Sequence, residues 1–221
     1  MDQTGFSRFQ LARWFHGDTE PRLPELLKLV DVLSLRLADF VQTLVDPARL
    51  PSLAPVWERL CAARAAAYAR PWSQAVLRAL ELLQYAQQKR HVPGMIAGFL
   101  GISAEEEVAC LELLERAGQI ERKGKRYVLT EVASLDLRGD RERLRALKGF
   151  WLETARERLL AGSDGTFGFN LFAVSEADMS AIRELYLEFY SQVQHRIAQS
   201  TPSEAVALFS AQLFRLDGRP G

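Results

Sequence analysis

Cysteine is nearly absent from this chain. Its 221 residues hold two, Cys61 and Cys110, with no CxxC pair and no Cys/His cluster. A disulfide framework and a thiolate zinc site are thereby excluded. Histidine is as scarce: His16, His91 and His195 lie far apart, none at ligand spacing from a cysteine or carboxylate. Each reads as a surface or half-buried side chain, and no metal is expected. Net charge is missing too, with 28 basic residues against 28 acidic ones, so no global electrostatic footprint marks the chain for nucleic acid or membrane. No apolar run approaches the roughly 18–20 residues that span a bilayer, and no signal peptide opens the sequence. A cytoplasmic protein without a membrane partner is the expectation. There is no GxSxG, GxxxxGK or GxGxxG pattern. Gly162-Ser-Asp-Gly165 is a turn composition, and the carboxylates Glu176 and Asp178 are accounted for by helix capping. No catalytic constellation, enzyme activity or cofactor is expected.

What is present is punctuated helix. Charge is uneven: Lys and Arg exceed Asp and Glu by four over residues 51–100 and fall short by three over 151–221, so any basic surface must be local. An amphipathic stretch from Ser7 to Phe15 stops at His16-Gly17. A proline-bounded turn (Pro21, Pro24) leads to a second helix, and a third ends near Phe40. Pro55 to Tyr68 and Trp72 to Gln88 read as helices, the latter with Leu77, Leu80, Leu83 and Ala86 in its buried stripe. Val92 to Leu100 is a short helix ended by Gly101. Ser103-Ala-Glu-Glu106 is a capping box opening a helix with Val108, Leu111, Leu114 and Ala117 inward. Gln119 to Leu129 folds about Gly124 as two short strands. Helix, helix, helix and two-stranded wing make a winged helix.

The remainder differs. A charged helix over 140–160 precedes the loop 161–166; Phe167 to Val174 reads as a strand, Ser175 caps a helix reaching about Gln199, and Ala205 to Leu216 reads as a final strand. The fold class expected is mainly α (α+β): a partial helix-turn-helix over 1–50, a helical connector and winged helix over 51–133, and a small α+β unit with two strands over 134–221. The aromatic set Phe167, Phe169, Phe172, Tyr186, Phe189, Tyr190, Phe209 and Phe214 is read as core, with a small-ligand pocket or dimer face as the alternative.

Two places could meet DNA. In the first helix, Leu11 and Trp14 face inward and leave Ser7, Arg8, Gln10, Arg13 and His16 on the groove side. Arg and Gln are residue types that contact guanine and adenine bidentately. The wing carries Arg122, Lys123, Lys125 and Arg126 around Gly124, suited to phosphates. The helix before it argues the other way, because Glu105, Glu106 and Glu107 fill its first turn. They would oppose phosphate, although they also complement the helix dipole.

Trp14-Phe-His-Gly17, then Pro21, then LPELLKLVDVLSLRLADF resembles helices three to five of the phage-repressor-like (Xre/Cro-type) helix-turn-helix. About the whole chain resembles a group of uncharacterised bacterial predicted regulators. They join such a domain to a winged-helix-like middle and a C-terminal domain of unknown function. The segments Phe169 to Asp178, Ile182 to Arg196 and Glu204 to Phe214 carry that last likeness. The resemblance implies a dimeric DNA-binding transcription regulator on double-stranded DNA, with the C-terminal part dimerising or sensing a small-molecule effector. It also implies two helices ahead of residue 4, where only Met1 to Thr4 stand, so the N-terminal half of that domain is expected to be missing. The rival expectation is a module that binds a protein partner and does not contact DNA by itself.

Overall fold

The computed structural model describes residues 6–34, 37–130, 135, 137 and 139–217. The chain divides into two units, residues 1–65 with 132–136 and residues 66–131 with 137–221.

In the first unit, α1 (Arg8–Phe15) begins at Ser7, whose hydroxyl accepts from the Gln10 amide at 3.2 Å. It ends where Gly17 takes a φ of 79°. That left-handed residue lets the Asp18 amide reach back to the Arg13 carbonyl at 2.9 Å. α2 (Leu23–Ser34) is opened by Glu25, which accepts from the Arg22 amide, and α3 spans Leu37–Gln42. A 3-10 turn at Pro47–Arg49 leads to α4 (Ala54–Ala69). Arg64 of α4 pairs with Asp39 of α3 at 2.6 Å. Burial is sparse: among the described residues of this unit only Leu29, Pro47 and Ala63 are buried.

The second unit holds the core. α5 (Trp72–Ala79), the short α6 (Leu83–Ala86), α7 (Met95–Leu100) and α8 (Ala104–Arg116) are followed by antiparallel strands β1 (Ile120–Lys123) and β2 (Arg126–Leu129). This is the element order of a winged helix. Val76, Leu77, Leu82, Tyr85, Ile96, Cys110, Leu111, Leu114 and Ile120 fill one apolar cluster. The expected single helix over 72–88 is instead broken. Leu82 is extended (φ −61°, ψ 137°), which restarts the helix out of phase. Leu82 and Tyr85 are therefore buried where Leu83 and Ala86 were expected, and those two are exposed. Val108 is exposed as well; Glu107 and Cys110 take the inward face of α8 beside Leu111 and Leu114.

α9 (Arg141–Leu160) lays Trp151 edge-on to Trp72, ring centroids 5.3 Å apart. Its Arg158 donates to the Leu100 carbonyl at 2.6 Å, at the end of α7. The close approach is possible because Gly101 (φ 62°) has no side chain: a Cβ there would lie 2.9 Å from the guanidinium. α10 (Glu176–Ala198) is capped by Ser175.

Among the described residues the sole sheet is the β1–β2 pair, so the mainly helical class holds while the two C-terminal strands do not form within the chain. Residues 167–174 and 205–216 make no ladder, because neither has a neighbouring edge. The C-terminal aromatic set is not core either: Phe167, Phe169, Phe172, Phe189, Tyr190, Phe209 and Phe214 are exposed.

Candidate nucleic-acid interface

The wing turns tightly. Lys123 pairs with Arg126 in the ladder, leaving Gly124 (φ 67°) and Lys125 as a two-residue connection. Lys123 and Lys125 are exposed at its tip. Arg122 is exposed too and lies over the Tyr127 ring, 5.2 Å from its centroid. Arg126 is committed to structure, donating to the Ala86 carbonyl at 2.7 Å.

The loop between α6 and α7 joins this wing, which no sequence pattern signals. The His91 amide donates to the Lys125 carbonyl at 2.8 Å. Lys89 and Arg90, both exposed, thus immediately precede a residue bonded to Lys125 of the wing tip. Neither pattern nor motif marks them, because their neighbours are nonlocal. The one available signal is the basic excess of residues 51–100.

Beneath the loop sits a polar network that positions it. Glu107, wholly buried, accepts from the amides of Gly94 at 3.1 Å and of Ala97, at the start of α7. Its carboxylate lies 3.4 Å from His91 Nε2, and His91 Nδ1 lies 3.4 Å from the Tyr85 hydroxyl. That hydroxyl accepts from the Tyr127 amide of β2 at 3.2 Å. Burial pushes the His91 imidazole below its ordinary pKa, outweighing the Glu107 carboxylate that raises it and adding to the lowering by Arg122. Burial likewise pushes the Tyr85 phenol up.

The three glutamates of the α8 first turn have three fates. Glu107 is the buried anchor. Glu106 pairs with Arg70 at 2.6 Å and accepts from the Cys110 thiol, so it does not complete the capping box. Burial, then the Glu106 carboxylate, push that thiol up to about 12. Glu105 alone faces solvent; its own amide and then the Ser103 hydroxyl hold its carboxyl below the ordinary value. The exposed face of α8 is Glu105, Val108, Glu112, Glu115 and Arg116. It is acidic, yet less so than the sequence alone implied.

In α1 the expected groove residues Arg8, Arg13 and His16 are exposed, Gln10 is half-buried, and Ser7 is occupied as the cap. Leu11 and Trp14 are half-buried as expected, with Trp14 edge-on to Phe6 at 4.9 Å. Phe9 and Phe15 are exposed beside the arginines. Among the described residues no group of His, Cys, Asp and Glu could hold a metal, and no helix is long and apolar enough to cross a membrane.

No curated protein and no solved structure matches the chain. One family model does, described as a domain of unknown function, DUF4423, over residues 55–216. The match takes in the wing, the basic loop, the buried Glu107 network and all of α9 and α10, and spans well over half of the chain. The protein therefore belongs to the DUF4423 family.

Proposed function

We propose that this protein is a DNA-binding transcription regulator acting as a two-fold dimer, with the wing and the α6–α7 loop as its phosphate-contacting edge. The observation that carries this reading is the His91–Lys125 backbone bond. It ties the loop that carries the exposed Lys89 and Arg90 to the wing that carries the exposed Arg122, Lys123 and Lys125, on a chain with no net charge. Local positive charge of this kind neutralises phosphates and releases counterions. Exposed Arg8 and Arg13 make α1 a second contact, in line with its likeness to a recognition helix. No catalytic or cofactor role is proposed.

A second reading has its own support. The acidic, Val108-bearing face of α8 opposes phosphate where winged helices commonly enter a groove and suits a basic protein partner. Fluorescence anisotropy of the full chain on a mixed-sequence duplex, titrated with salt, separates the two. The log–log salt slope should be steep, and Lys89→Ala/Lys123→Ala/Lys125→Ala should reduce its magnitude by about 2–3, at roughly 0.9 for each phosphate no longer neutralised. Arg8→Ala/Arg13→Ala should reduce it by about 2 at most. Binding that ignores salt, or no binding at low salt, would sink the DNA reading.

A further inference from the structure

No residue between Ala161 and Asp217 is buried. The stretch is nonetheless rich in apolar side chains, and several stand almost free: Phe169 is 93% exposed, Leu216 75%, Leu171 73% and Phe214 70%. α10 runs for 23 residues without one buried side chain, and Leu185, Leu187, Phe189 and Ile197 are exposed along it. An ordered segment of this length needs a core to offset its conformational entropy. Among its apolar side chains only Met179, Ile182, Tyr186, Val193, Val206 and Leu213 are even half-buried.

The segment is nevertheless fixed in place. Ser203 accepts from the Leu83 amide at 2.8 Å, and Val206 packs against the apolar cluster of the winged helix. Phe209 meets Phe189 and Tyr190 of α10, with ring centroids 5.8 and 6.3 Å away. Arg215 then clasps Glu176 at the start of α10 at 2.7 Å, and Asp217 at 2.6 Å. Between Phe209 and Arg215 the chain advances six residues while its contacts retreat thirteen along α10. Six extended residues cover about 20 Å at ~3.3 Å each. Thirteen helical residues cover about the same at ~1.5 Å each. The segment therefore runs fully extended and antiparallel over the helix, as a strand lies on a helix in a two-layer fold. Yet among the described residues no backbone hydrogen bond joins 164–174 or 204–216, the Ser203 anchor aside, to anything else. Among the described residues both segments thus lack a ladder partner, and 205–216 lies over a helix of which Met179, Ile182, Tyr186 and Val193 are half-buried while Leu185, Leu187, Phe189 and Ile197 remain exposed.

We propose that a second copy of this chain closes that unit: residues 167–174 and 205–216 of two protomers pair as intermolecular β-strands, and their α10 helices cover the resulting sheet. A second copy fits because each protomer brings the donors, acceptors and apolar side chains that the other lacks, in equal number, about a two-fold axis. Charge agrees. Glu176 is already held by Arg215, but Asp178 stands in the first turn of α10 and His195 and Arg196 in its last, so helices related by the two-fold and running antiparallel set opposite charges together. This names the surface for the dimer in the proposed function and rests on that part of the reading. Measured without DNA, its failure leaves the salt-titration test untouched.

The test is light scattering after size exclusion on the full chain, combined with amide hydrogen exchange. The 24.9 kDa chain should elute with twice that mass. Amides of 167–174 and 205–216 should be protected in the dimer. Leu185→Glu/Leu187→Glu changes two exposed positions and should raise the dimer dissociation constant at least about tenfold. Leu208→Pro removes a ladder donor and should do the same. Both variants should keep the near-ultraviolet circular dichroism of the Trp72–Trp151 pair, which shows that the winged helix is intact. A monomeric wild-type chain would overturn the proposal. So would a dimer whose 167–174 and 205–216 amides exchange freely, or one that both variants leave unchanged.

Discussion

The winged helix and the segment after α9 are made of similarly apolar sequence, yet they solve the burial problem in opposite ways. Between Trp72 and Leu129 the chain meets itself: Leu77, Ile96, Leu114 and Ile120 converge on one cluster, and a buried carboxylate satisfies the amides at the start of α7. Between Ala161 and Asp217 extended and helical pieces are held by Ser203 and Arg215, while no apolar side chain is buried and most are exposed. The difference teaches that amphipathic pattern specifies a face to be covered, not the molecule that covers it.

The largest effect that separates the two regions is core truncation. Leu114→Ala should lower the unfolding free energy by about 2–5 kcal/mol. Leu187→Ala, read by urea denaturation at concentrations that keep the chain monomeric, should change it by no more than about 0.5 kcal/mol. Equal losses would mean that the second region has a core within one chain. A smaller change is expected at the α8 cap, where the Ser103 hydroxyl accepts from the Glu106 amide at 3.1 Å. Ser103→Ala should cost about 1 kcal/mol, seen as a shift in urea midpoint with unchanged slope.

The subtlest is pH. Burial holds His91 below its ordinary value of 6.5, so the folded protein binds fewer protons there than the unfolded chain. Stability from this site is complete above that value and declines as pH falls through it toward the lower folded pKa. The drop in urea midpoint between pH 7.5 and 5.5 should shrink in His91→Gln. An undiminished drop would place the acid sensitivity elsewhere.

Much of the winged helix was legible because its signals are local. Gly101, Ser103, Gly118 and Gly124 punctuate it where a left-handed or capping residue is required, and Gly101, Gly118 and Gly124 have positive φ. The ends of α1 and α10 were readable for the same reason, through Ser7, Gly17 and Ser175. Phase was harder. A single extended residue, Leu82, exchanged Leu83 and Ala86 for Leu82 and Tyr85. Glu107 was invisible as an anchor, since nothing in its identity distinguishes it from Glu105 and Glu106. Its role depends on where the start of α7 comes to lie. Lys89 and Arg90 joined the site through a contact with Lys125 that no spacing rule anticipates. The segments 167–174 and 205–216 have strand sequence without a strand partner, and alternation cannot say where the partner is.

The Arg158–Leu100 bond has a mechanical consequence. It comes two residues before the end of α9, after Trp151 has already packed on Trp72. A helix held near its middle and again near its far end is restrained from swinging. α9 therefore ties the segment that follows Leu160 to the carbonyl end of α7. The opposite end of that short helix is the one Glu107 holds, next to the loop carrying Lys89 and Arg90.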